Sequence, residues 1–142
     1  MKAISLKQPF AALVAAGVKQ FETRKWGTKY RGPLLIQASL APHSLFCGYD
    51  FRTEKLELDN HSAKRIYDVP RYYIPRSGAM MCVVDLVDVF PFPKTKEAED
   101  MACCDWYDGF VWKIENPRIT LPIPLKGQLS LFEVPDDLIK YL

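Results

Sequence analysis

The sequence predicts a mixed α+β domain, a small, partly closed β-barrel flanked by helices. Three observations predict it: many strand-length apolar runs, few stretches with a helical period, and eleven prolines that cut the chain into short elements. A chain of 142 residues is close to the commonest size of one domain, and no linker-like tract interrupts it, so residues 1–142 are expected to form a single unit. With 49% hydrophobic and 25% charged residues and a mean hydropathy of -0.11, the composition excludes disordered, collagenous and transmembrane classes. Lys7, Gln8 and Pro9 stand where a secretory leader needs its apolar stretch, so the chain is expected in the cytoplasm, with no membrane partner.

Residues 1–6 alternate as a strand. Pro9 suits a first helical turn, Phe10 to Ala16 continue a short helix, and Gly17 is the expected left-handed residue after its end. Lys19 to Trp26 lack a helical period and read as extended. Tyr30 to Pro33 make a turn into Leu34 to Ala38, an apolar run of central-strand type. Phe51 to Tyr67 carry enough Lys, Glu, Leu and Ala for a helix.

Ala79 to Phe90, rich in Val and Met, form the clearest strand, ended by Pro91 and Pro93; Thr95 then caps a short acidic helix toward Cys104. Phe110 to Glu115 extend again, Asn116 and Pro117 are expected to turn the chain, and Arg118 to Ile123 form another strand. Lys126 to Gln128 loop into an extended Leu129 to Val134, and Pro135, Asp136 and Asp137 open a final helical turn.

Nineteen basic and seventeen acidic side chains leave a net charge of +2, which alone implies no polyanionic partner. The charges are segregated, however. Lys19 to Arg31 is basic, Lys64 to Arg76 is basic, and Lys96 to Asp108 is acidic. Such separation either orients a nucleic acid or reflects solvated loops of mixed sign. Cys47, Cys82, Cys103 and Cys104 contain no CxxC pair, so reduced thiols are expected, and neither a metal nor a cofactor is implied. His43 and His61 sit in polar segments away from any nucleophile motif and are read as surface residues.

The segment from Gly17 to Trp26 is the most informative. In an extended chain, period two puts Gln20, Glu22, Arg24 and Trp26 on one face and Lys19, Phe21, Thr23 and Lys25 on the other. Glu22 and Arg24 then either share a cleft with Trp26 or form an ion pair on a solvated strand. Trp112 and Phe110 share a strand face and are expected in the core, while Asp85 and Asp88, three apart, make a poor metal pair.

Ser5-Leu-Lys-Gln-Pro-Phe10, the Gly17, Lys19, Glu22, Arg24 spacing with Trp26, and the later Trp112, Glu115-Asn-Pro-Arg118, Pro122-Ile-Pro124 and Lys126-Gly-Gln128 together resemble the ASCH domain family. Residues 41–76 and 93–108 then stand as variable insertions. The resemblance implies a PUA-like β-barrel with a cleft along the GxKxxExR segment that binds RNA or a modified nucleoside or nucleotide. In that reading Lys19 and Arg24 neutralise phosphate, Trp26 or Tyr30 stack on a base, and Glu22, Asn116 or Gln128 read its edge, with Arg118 a secondary candidate.

Some members of the family resemble amidohydrolases that deacetylate a modified cytidine through a lysine, a threonine and a glutamate. Here Lys19 matches the lysine, but Glu22 occupies the threonine position, so hydrolysis would use Glu22 as base and Lys19 or Arg24 for the oxyanion. Ribonuclease activity by the same three residues, and an adaptor role through an apolar patch at Tyr67, Tyr72, Tyr73 and Ile74, complete the alternatives.

Overall fold

The computed structural model describes residues 1–40 and 77–142 and, between them, the two-residue strands Tyr49–Asp50 (β4) and Lys55–Leu56 (β5), which pair with each other. Lys55–Leu56 are thus extended within the stretch where the composition suggests helix; the rest of that stretch, Cys47, both histidines and the tyrosine patch lie outside the described residues.

The N-terminal alternation folds as β1 (Lys2–Leu6), and the apolar run Leu34 to Ala38 lies in β3 (Gly32–Ala38), which pairs with β1 in parallel. Both are interior strands buried on two faces, which is why their apolar residues run together. Ile4, Leu34 and Ile36 point to the main core, while Ala3 and Leu35 point to a second core with Met80, Val83 and Phe132. On the main face lies α1 (Phe10–Ala15), whose Ala11 to Ala15 are buried.

No Ser, Thr or Asp precedes that helix. Instead the buried Gln8 side chain accepts the Ala12 N–H at 3.0 Å, satisfying one of the free donors of the first turn. At the other end Gly17 has φ +77°, as expected, and the N–H groups of Val18 and Lys19 both donate back to the Leu13 carbonyl at 3.0 and 3.1 Å.

The extended segment after this corner pairs only over β2 (Phe21–Arg24). The long strand is β6 (Ala79–Pro91), followed by α2 (Lys96–Ala102), whose Ala98 N–H donates to Thr95 Oγ1 at 3.2 Å as the sequence predicts. Then come β7 (Phe110–Ile119), β8 (Phe132–Glu133) and a 3-10 turn at Asp136–Leu138. The larger sheet runs β2-β7-β6-β3-β1-β8, a mixed six-stranded half-barrel with two short helices. The fold is α+β and PUA-like, as the sequence leads one to expect. Among the described residues no helix is long and apolar enough to cross a membrane.

Asn116 and Pro117 do not turn the chain. They form an irregularity inside β7: Val83 pairs with Arg118 and Asp85 with Glu115, so two residues of β7 face one of β6. Asn116 takes φ +55°, a conformation that asparagine tolerates better than most residues. Arg118 Nη2 donates to Asp85 Oδ1 at 2.9 Å, Asn116 Nδ2 to Asp85 Oδ2 at 3.4 Å, and Arg118 Nη1 to the Asn116 carbonyl at 3.0 Å. The side chains therefore lock the bulge.

Chiefly the Arg118 hydrogen bond holds the Asp85 carboxyl below its ordinary range, partly offset by desolvation. A depressed carboxyl contributes stability above its unfolded-state pKa of about 4 and loses it as pH falls through the lower folded value. Asp85→Asn is therefore expected to lower the urea midpoint at pH 7. The gap to wild type should close below about pH 4, and because the pair is a third exposed it should stay under about 1 kcal/mol. An equal gap at pH 7 and pH 3 counts against an ionic role.

Candidate ligand cleft

Lys19 precedes the first paired residue of β2 and so escapes the alternation that puts it opposite Glu22. The Gly17 corner turns it inward, where it is only 2% exposed. Its Nζ donates to the carbonyl of Ala102, the last residue of α2, and lies 3.6 Å from Glu22 Oε1 and 5.2 Å from the centre of the Phe10 ring. A carbonyl at a helix C-terminus is free to accept and carries the negative end of the helix dipole, which suits a buried ammonium.

Glu22 stands beside Arg24, as period two requires. Its Oε1 accepts the Thr23 N–H at 2.9 Å, and its Oε2 accepts from Arg24 Nη2 at 3.1 Å. Arg24 Nη2 also donates to the Ser5 carbonyl at 2.8 Å, tying β2 to β1 across the open side of the sheet. Arg24 Nε is buried and has no hydrogen-bond partner among the described residues.

These three side chains line a cleft of about 340 Å³, within the usual size range of small-molecule sites. Ser5, Leu6 and Lys7 at the end of β1 form one wall with Phe10, and Cys104 and Tyr107 form another. Gln128 closes a third side, its backbone N–H donating to Ser5 Oγ at 3.1 Å. Among the described residues that line it, three cations, Lys7, Lys19 and Arg24, face one carboxylate, so this lining is positive. Burial pushes the Cys104 thiol and the Tyr107 hydroxyl up, although Lys19 draws Cys104 the other way and the Thr23 contact draws Tyr107 the other way. Both stay protonated at neutral pH. Thr23, expected on the far face, also borders the cleft, its Oγ1 3.7 Å from Cys104 Sγ.

Of the residues singled out in the sequence, the cleft gathers Lys19, Glu22, Arg24 and Gln128. Trp26 is not part of its lining. That indole lies edge-on against Trp112, centroids 5.0 Å apart and planes at 84°, with its carbonyl accepting Trp112 Nε1–H at 3.2 Å. The Tyr30 hydroxyl donates to the Pro33 carbonyl. Arg118 serves the β7 bulge, and Asn116 lines a smaller cavity of about 210 Å³ that Lys19 also borders. Lys7 and Ser5 belong to the Ser5 to Phe10 motif, where a signal for them existed. Nothing marked Cys104 or Tyr107, which lie in a stretch read as a variable insertion. Among the described residues no three His, Cys, Asp or Glu side chains gather as a metal site.

A glycine corner that buries a lysine, next to a carboxylate and an arginine on an edge strand of a PUA-like half-barrel, defines a class of small domain with a polar, positive pocket. The ASCH domain family model matches residues 4–124, and the chain belongs to that family. It is also 26% identical over 132 residues to activating signal cointegrator 1 of Homo sapiens and, at the same identity, to the Mus musculus protein of that name. Each match covers 92% of this chain but 22% of the relative, so the chain spans about a fifth of those proteins.

Proposed function

We propose that this chain, acting as one domain, binds RNA or a nucleotide-like ligand in the cleft. The observation that carries the reading is the charge arrangement: among the described residues, three cations around a cleft of about 340 Å³, with one carboxylate whose oxygens are both engaged by protein donors. Glu22 positions Lys19 and Arg24; Arg24 and the exposed Lys7 meet a phosphate, and Tyr107 and Gln128 supply a ring face and an amide for a base. The two hydrogen bonds already made by the Glu22 carboxylate suit an anchor better than a general base, which favours binding over hydrolysis.

Fluorescence anisotropy of a labelled single-stranded RNA, titrated at several salt concentrations, tests the reading. Arg24→Ala and Lys7→Ala are each expected to weaken binding and to reduce the salt slope by about 0.7, the share of one phosphate on a single strand. Unchanged affinity in both variants at every salt concentration overturns it. Mass spectrometry of the same RNA and of a panel of acetylated nucleosides reports turnover, and a mass change abolished by Glu22→Gln would replace the binding reading with a hydrolytic one.

A further inference from the structure

The cleft does not end at Gln128. A shallower groove of about 310 Å³ adjoins it and shares four residues with it, Ser5, Ser39, Gln128 and Leu129; Leu40 and Lys126 belong to the groove alone. Leu129 therefore borders both spaces, and it is 98% exposed. An exposed leucine on a loop is unremarkable by itself. This one is held in place. The preceding Gln128 N–H is bonded to Ser5 Oγ, and Gly127 packs so closely on Ser5 and on Gln37 Oε1 that a Cβ there would collide with both. Gln37 in turn is buried and donates from Nε2 to the Leu125 carbonyl at 2.7 Å. These contacts hold the chain before the leucine; after it, Leu131 packs against the main core and Phe132 pairs with Ala3, so the leucine is presented rather than trailing.

We infer that Leu129 is a wedge between two nucleotide subsites: one base of an RNA strand occupies the cleft, the next lies in the groove against Leu40, and the leucine parts them. The inference rests on the cleft being a nucleotide site. Charge favours a nucleic-acid strand over an apolar protein segment, because Lys7 and Arg24 stand in the cleft and Lys126 in the groove, on the path of a phosphate backbone. Apolar side chains inserted between bases are an established way to hold an unstacked step, and the hydroxyls of Ser5 and Ser39 at the junction are suited to the linking phosphate.

Isothermal titration of uridine 5′-monophosphate and of the 5′-phosphorylated dinucleotide pUpU separates the two levels of the argument. Wild type is expected to bind pUpU about tenfold more tightly than the mononucleotide, the second base adding its own contact. Leu129→Ala, with the melting temperature checked, should shrink that ratio to about threefold or less, and Leu129→Trp should widen it. Equal ratios in wild type and Leu129→Ala overturn the wedge while leaving the cleft reading intact. No binding of either probe by wild type overturns both. Self-association that Leu129→Ala abolishes, with no dinucleotide advantage, overturns the wedge and assigns the leucine to a second copy of the chain.

Discussion

Glu22→Ala is expected to destabilise the protein by about 3–5 kcal/mol, the cost of removing one partner from a buried ion pair and leaving the other uncompensated. Lys19 is the partner left behind. It is 2% exposed, and without Glu22 its one remaining acceptor among the described contacts is the Ala102 carbonyl. The Thr23 N–H loses its acceptor in the same step, while Arg24 keeps the Ser5 carbonyl and is partly open to water. Glu22→Gln retains an oxygen for Thr23 but removes the charge, so its loss should be smaller.

Urea denaturation of a double-mutant cycle gives the decisive comparison. If Lys19 is the source of the penalty, Lys19→Met in the Glu22→Ala background recovers part of the lost stability, since replacing both charges by apolar groups is far cheaper than stranding one. A Glu22→Ala variant within 1 kcal/mol of wild type, with no coupling to Lys19, would mean that water reaches the pair freely.

How much of this was legible in the sequence depends on the range of the interaction involved. Local rules placed β1, α1, the Gly17 corner, β3, β6 and the Thr95 cap, because each depends on residues within a few positions of one another. The neighbouring arrangement of Glu22 and Arg24 follows from period two alone. Three features were not legible. Lys19 turns inward because Gly17 redirects the chain before pairing begins, which the alternation rule ignores. Asn116-Pro117 carries every local mark of a turn, yet β6 supplies a pairing partner on both sides and Asp85 locks the irregularity in place. Trp26 has the exposed indole expected of a stacking surface, but Trp112, 86 residues away, fixes which way it faces. The last two misses are long-range contacts overriding a sound local signal, and the first is a local corner that the alternation rule does not carry.

That last contact makes Trp112→Ala the second large effect. Trp112 is fully buried and lies opposite Glu22 on one side and Val89 on the other, so its ring fills the core beneath the strand that carries the site. Removing it is expected to cost about 3–5 kcal/mol, the transfer free energy of an indole plus the cavity it leaves. Trp112→Phe keeps most of the volume and loses the donor to the Trp26 carbonyl; since Trp26 is itself exposed, water can take over, and the loss should be nearer 1–2 kcal/mol.

The consequence for the cleft is separable from the loss of stability. Strand β2 is four residues long and stands at the sheet edge, and among the described residues β7 is the one strand that pairs with it, so no second strand keeps its register when the packing under it fails. In Trp112→Ala, under conditions where the rest of the sheet remains folded, amide exchange at Phe21 to Arg24 should accelerate more than at Leu34 to Ala38. The RNA affinity proposed for the cleft should fall with it although no residue of the cleft lining has changed. Uniform acceleration across both strands would show that Trp112 supports the whole half-barrel and has no particular hold on the strand bearing Glu22 and Arg24.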